Sequence, residues 1–187
     1  MKSLLVACVI VLLLLINNVN CKRMWDYALL SVDTTTSDPS KFKMDAEVVR
    51  ISRTEYGFSL TLNWNYDLDE TTFVQAAAYR SNTGNEEDYT LMPWSVPKQT
   101  YEEYTKSFYE SIVHKNLAHC SNLPTPDKAY PIPKGTVYKF DRCVVDGDGM
   151  PDYAPDGYYK VVFNATGEVE WTVTIIVKIT KKTDLFG

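Results

Sequence analysis

Two segments of the chain place apolar residues at every second position. Phe58, Leu60, Leu62 and Trp64 alternate with Ser59, Thr61 and Asn63; near the C-terminus Trp171, Val173, Ile175, Val177 and Ile179 share one face, with Thr172, Thr174, Lys178 and Thr180 on the other. A period of two marks a strand with one buried face, and the β-branched and aromatic content agrees. The same reading predicts strands at Trp25–Asp33, Lys43–Arg53, Thr71–Arg80, Tyr89–Met92, Thr136–Phe140 and Gly157–Phe163. In the second of these the apolar set slips phase, from Ala46 and Val48 to Val49 and Ile51, which predicts a β-bulge. Asn164-Ala165-Thr166-Gly167 predicts the hairpin connection between the last two strands.

One helix interrupts the pattern. Thr100-Tyr101-Glu102-Glu103 has the form of a capping box, and Tyr101, Tyr104, Phe108 and Ile112 follow at helical spacing. The helix is expected to run to about His114 with its aromatic stripe against the sheets, where it either packs or touches a ligand. Proline marks three loops: Met92–Pro97, Leu123–Pro133 and Met150–Pro155. The first and third carry an aromatic among the prolines, Trp94 and Tyr153. Such rigid loops suit either a pocket rim or plain cover for sheet edges.

The N-terminus changes the picture from a fold to a destination. Lys2 is followed by an uncharged apolar run, Leu4 to Ile16, whose length suits the core of a signal peptide better than a membrane span. Val19 and Cys21 fit the small-residue positions of a cleavage site, so residues 1–21 are expected to be removed and the protein secreted. Residues 22–187, without repeat or linker, are read as one domain. With 19 basic against 24 acidic residues the net charge is −5, which argues against nucleic acid and anionic membranes as partners. No later segment suits stable membrane insertion. Cys120 and Cys143 are the pair left after the leader, and in an oxidising compartment they are expected to form a disulfide.

Candidate chemistry is sparse. Asn164-Ala165-Thr166 is an N-glycosylation acceptor. Asp146, Asp148 and Asp152 alternate as calcium ligands do, but Pro151 and Gly157 stand where an EF-hand loop needs Gly and a bidentate Glu, so a solvated acidic turn is the better reading. The two histidines, His114 and His119, have no partners for a zinc site. Neither a nucleophile elbow nor a zinc-protease helix is present. The chain is expected to be no enzyme and to need no metal or cofactor.

Two C-terminal segments carry a resemblance: Tyr130-Pro131-Ile132-Pro133-Lys134-Gly135-Thr136, then Met150-Pro151-Asp152-Tyr153-Ala154-Pro155-Asp156-Gly157-Tyr158-Tyr159-Lys160. Followed by a strand, the Thr166-Gly167-Glu168 hairpin and a last long strand, they look like the C-terminal half of the lysosomal ganglioside activator protein. The mature chain, with Trp25-Asp26-Tyr27 and the helix ending near His114-Lys115-Asn116, more closely resembles the CheB-type insect chemosensory proteins, relatives of that activator in the ML lipid-recognition superfamily. The resemblance implies an all-β fold, a cup-like antiparallel β-sandwich with an apolar cavity and one short helix. It further implies a secreted protein of taste organs that binds a lipid or hydrocarbon pheromone and works beside a chemosensory receptor or channel.

On this reading Trp94 and Tyr153 fall at the cavity rim. Phe58, Leu60, Leu62, Trp64, Trp171, Val173, Ile175 and Val177 line the cup, some of them as plain core, and Phe108 faces it from the helix. Tyr hydroxyls, polar tips on apolar bodies, are suited to set selectivity at the rim. The departure is in the cysteines, since Tyr130 stands where the activator's loop carries a Cys. A different class remains open: an Ig-like interaction module with a fully packed core that acts through its surface.

Overall fold

The computed structural model describes residues 23–182 apart from Thr54; the expected leader, with Cys8 and Cys21, lies outside the described residues. Eight strands form: β1 (Trp25–Thr36), β2 (Phe42–Arg50), β3 (Tyr56–Trp64), β4 (Phe73–Ser81), β5 (Thr90–Thr100), β6 (Thr136–Cys143), β7 (Gly157–Thr166) and β8 (Trp171–Lys181). They make two antiparallel sheets, a five-stranded one in the order β1-β8-β7-β4-β5 and a three-stranded one in the order β2-β3-β6. This is the antiparallel sandwich expected from the alternating pattern.

Register decides what each face carries. Val161, Phe163 and Ala165 of β7 lie opposite Ile175, Val173 and Trp171 of β8, so the apolar set of one strand extends across its neighbour. In the smaller sheet Phe42 and Met44 stand opposite Trp64 and Leu62, and Tyr138 and Phe140 opposite Leu62 and Leu60. The two apolar faces meet at one end. There Phe42 stacks on Trp171 with ring centroids 4.6 Å apart, and Trp64 meets Trp171 edge-on at 6.2 Å. Phe42 is 1 % exposed, and burying a side chain of that size contributes about 1.5–3 kcal/mol. Tyr66 ties the group together, its carbonyl accepting from Trp64 Nε1 at 3.0 Å and its hydroxyl from Trp171 Nε1 at 3.3 Å.

Three sequence expectations need correction. The segment Met92–Pro97 is no loop but the middle of β5, an edge strand on which Pro93 and Pro97 leave no neighbour short of an N–H donor. β2 carries no bulge: its register against β3 is unbroken from Phe42 to Arg50, and Ile51 lies past the strand end, its amide bonded to Glu55 O. The register shifts occur instead in β1 at Leu29/Ser31, between β3 and β6 at Phe58/Leu60, and between β4 and β5. Finally Asn164 lies within β7 rather than in a turn, because the ladder to β8 continues to Ala165 opposite Trp171; Gly167, at φ 151°, sits in the connection beyond it.

The helix also differs. Thr100 caps it as read: its Oγ1 accepts from Glu103 N at 3.2 Å, and the Thr100 amide donates to the Glu103 carboxylate at 3.0 Å. After one α turn (Tyr101–Tyr104) the backbone widens to a π-helix over Thr105–His114, then tightens through Lys115–Leu117 and Ala118–Cys120. Wider winding breaks the 3.6-residue spacing, so Tyr109 is buried at 4 % exposure while its neighbour Phe108 is half-buried. The rod thus runs past His114 to Cys120, which is bridged to Cys143 at the end of β6.

Candidate functional site

The buried residues of the inner face gather in two clusters, one at each end. The first cluster gathers Phe42, Trp64, Tyr66, Tyr104, Tyr109, Tyr138 and Trp171, with Leu62, Phe108, Phe163 and Val173 packed against it. The second gathers Trp25, Ala154, Tyr159 and Ile179, with Tyr27, Met92, Trp94, Met150 and Val177. Both touch the same face of β8, through Trp171 and Val173 at one end and Val177 and Ile179 at the other. Ile175 lies between them and joins neither cluster, as do Val161 beside it on β7 and Leu60 and Phe58 on β3. All four point inward by register, yet all four remain half-buried. An apolar residue of a packed sandwich interior is normally sealed; this band keeps accessible surface.

Phenol groups border the band at its packed end. Tyr101 is surrounded by protein, and loss of water pushes its phenol well above the usual value, with the neighbouring phenols of Tyr104, Tyr138, Tyr109 and Tyr66 adding to the shift. The residue as a whole is half-buried. Burial pushes up the phenols of Tyr104 and Tyr138 as well. Other buried tyrosines bond through their hydroxyls, Tyr109 to Pro124 O and Tyr159 to Pro155 O, both at 2.7 Å. The hydroxyls of Tyr101, Tyr104 and Tyr138 have no partner among the described residues, and they are not sealed off, since the sealed and unpaired side-chain atoms there are Thr72 Oγ1 and Gln99 Nε2.

At the opposite end the loop between β6 and β7 closes over the second cluster. Trp25 Nε1 donates to Pro151 O at 2.8 Å, Val145 N donates to the Tyr27 hydroxyl at 2.7 Å, and the Arg23 guanidinium, lying over the Trp25 ring, donates to Asp146 O at 2.7 Å. Asn116, from the helical rod, holds the loop's tightest part through its side-chain amide. The loop is therefore held through its backbone, while the side chains of Asp146, Asp148 and Asp152 are exposed. Among the described residues no group of three or more His, Cys, Asp or Glu converges as metal ligands would.

The residues singled out in the sequence divide among these places. Trp64 and Trp171 belong to the sealed floor; Leu62, Val173 and Phe108 pack against it; Phe58, Leu60 and Ile175 line the open band. Trp94 is carried on β5, not on a loop, and stacks on Tyr159 with centroids 5.8 Å apart and planes 9° from parallel. Tyr153 stays on the loop, 60 % exposed. Sequence reading missed Tyr138, Tyr159 and Asn116 as site residues. Alternation within Thr136–Phe140 and Gly157–Phe163 carried a signal for the two tyrosines, whereas nothing local marks Asn116. Elsewhere a shallow depression of about 520 Å³, lined by His119, Cys120, Ser121, Asn122, Lys139 and Asp141, opens beside the disulfide. Lys139 and Asp141 stand on the outer face of β6, so it does not communicate with the band.

Asn164 presents its sequon on the outer face of β7, with its Oδ1 accepting from Thr172 Oγ1 at 2.8 Å. No helix among the described residues is long and apolar enough to cross a membrane. No curated protein matches the chain. Over residues 74–161 the chain is similar to a family described as a protein of unknown function, DUF1091, a span that runs from β4 to the middle of β7 and takes in the helical rod, the disulfide, Trp94, Tyr153 and the three unpaired phenols.

Proposed function

We propose that this protein is a secreted, non-catalytic carrier whose sandwich interior holds an apolar ligand. The observation that carries the reading is the half-buried band of Phe58, Leu60, Val161 and Ile175, inward-facing and outside both packed clusters. Each ligand methylene buried there contributes about 0.8 kcal/mol, so a long chain binds with little polar help. The resemblance to the CheB-type chemosensory proteins and the ganglioside activator supports a lipid or hydrocarbon pheromone as the ligand class. It also supports a role in gustatory detection of contact pheromones or cuticular lipids.

Native mass spectrometry of the secreted protein, after incubation with a cuticular lipid extract, tests the reading. Retention of defined long-chain molecules, weakened by Leu60→Asp or Ile175→Asp on a protein that still folds, is the expected result. A folded protein that stays empty with every extract would overturn the carrier reading and favour an interaction module acting through its surface.

A further inference from the structure

The carrier reading leaves open whether the ligand is a plain hydrocarbon or carries a polar group, and the interior itself distinguishes the two. Tyr104 packs on Phe163 with ring centroids 5.4 Å apart, and Phe163 stands two residues from Val161 of the apolar band. Tyr138 faces Leu62 across β6 and β3, two residues from Phe140, which faces Leu60. The Tyr101 ring lies 5.9 Å from that of Tyr104 and 5.8 Å from that of Trp64, the next inward residue of β3 after Leu62. The phenols therefore converge where the band meets the packed floor. Tyr104 and Tyr138 are 7 % and 9 % exposed, yet among the described residues their hydroxyls, like that of Tyr101, have no partner and are not sealed. A hydroxyl deep in a protein is nearly always satisfied, by protein, by ordered water or by a ligand.

We propose that the hydroxyls of Tyr101, Tyr104 and Tyr138 form a hydrogen-bonding end wall to the apolar band, which selects a long-chain ligand carrying an acceptor oxygen, such as an ester or ketone carbonyl, over a plain hydrocarbon. This rests on the carrier reading and narrows it. The chain lies along Phe58, Leu60, Val161 and Ile175, and the oxygen accepts from the phenols at the floor. Selectivity is thus set inside the protein rather than at its rim. A hydrocarbon in the same place leaves the phenols unpaired, and a site built to bond an oxygen discriminates against the analogue that lacks it.

Competition between a bound fluorescent probe, phenylnaphthylamine, and two ligands with equal numbers of heavy atoms, methyl palmitate and nonadecane, tests the proposal on the full secreted protein. Methyl palmitate is expected to bind roughly tenfold more tightly, as one well-made hydrogen bond implies. The triple variant Tyr101→Phe, Tyr104→Phe, Tyr138→Phe is expected to hold both ligands about equally, its preference for the ester lost. These substitutions remove unpaired hydroxyls and keep the rings, and thermal unfolding of the empty variant, expected within a few degrees of the parent, checks that it folds. Equal affinity of the parent for the two ligands would overturn the proposal and leave the phenols as sites of trapped water. An undiminished ester preference in the triple variant would overturn it equally. Displacement of the probe by neither ligand would overturn the carrier reading itself.

Discussion

Asn116 holds the backbone of Asp148 at both of its polar groups: Nδ2 donates to Asp148 O at 2.8 Å, and Oδ1 accepts from Asp148 N at 3.1 Å. The same side chain also donates to Ile112 O at 2.7 Å and accepts from Gly147 N at 2.8 Å. A single residue, 2 % exposed, therefore joins the end of the helical rod to the loop that covers the second aromatic cluster. Close approach of the two backbones makes the arrangement possible: a Cβ on Gly149, which sits at φ 75°, would lie 2.3 Å from Ser111 O.

Asn116→Ala removes all four bonds and leaves several partly buried backbone groups without their partner. The expected loss is about 3 kcal/mol, or roughly 6–12 °C in midpoint for a domain of this size. Asn116→Asp keeps the two acceptor contacts but cannot donate to Ile112 O and Asp148 O, and it is expected to lose nearly as much at neutral pH. Thermal unfolding of both variants measures this, and a shift within a degree or two of the parent would mean that the loop is held by Trp25, Tyr27 and Arg23 alone.

The interior phenols predict how the protein fails in alkali. Desolvation pushes Tyr66 up to about 12, against a usual phenol value of 10.0, and raises Tyr101, Tyr104, Tyr109 and Tyr138 as well. The folded protein keeps protons that the unfolded chain releases. Their contribution is therefore complete below pH 10 and is lost as the pH climbs towards the folded values. Stability in urea is expected to be level through neutral and mildly alkaline pH and to fall steeply above pH 10. Tyrosinate absorbance is expected to rise in two stages, exposed phenols first and the buried set together with unfolding. A single smooth titration of all 13 tyrosines near pH 10, without unfolding, would contradict the enclosed cluster.

Much of this architecture is written in local pattern, and the parts that are not have a physical reason. Phe58 to Trp64 and Trp171 to Ile179 announce their strands because one face is apolar and the other is not. Thr100 and Glu103 announce the helix start because capping is a contact between near neighbours. The pairing of Cys120 with Cys143 could be read because the other two cysteines, Cys8 and Cys21, fall in the expected leader. By contrast, Pro93 and Pro97 hide β5, since proline argues against a strand unless the strand is known to lie at an edge, and edges are set by the whole sheet. The π-helical winding, which turns Tyr109 inward beside Phe108, has no signature in the local residue spacing. Asn116 is the extreme case, a lone polar residue whose importance comes from Gly147 and Asp148, 31 and 32 positions away. The open band required both sheets, because whether Leu60 and Ile175 are core or lining depends on what faces them.

Trp94 and Tyr153, both expected at the rim from sequence, occupy different environments and predict different outcomes on truncation. Trp94 lies on the inner face of β5 against Tyr159, itself 2 % exposed, within the second cluster. Trp94→Ala is expected to open a gap in that cluster and lose about 2–4 kcal/mol, towards the lower part of the range for large aromatic truncations because the ring is only half-buried. Tyr153 is 60 % exposed, and Tyr153→Ala is expected to change stability by no more than about 0.5 kcal/mol, as for surface positions without special contacts. Urea unfolding of the two variants gives the comparison. If Tyr153 touches a ligand at the rim, its truncation weakens binding without weakening the fold, whereas Trp94→Ala lowers both together. Binding that survives Tyr153→Ala unchanged would place ligand contact deeper, among Phe58, Leu60 and Ile175. A Trp94→Ala protein as stable as the parent would mean that the second cluster does not depend on the Trp94–Tyr159 stack.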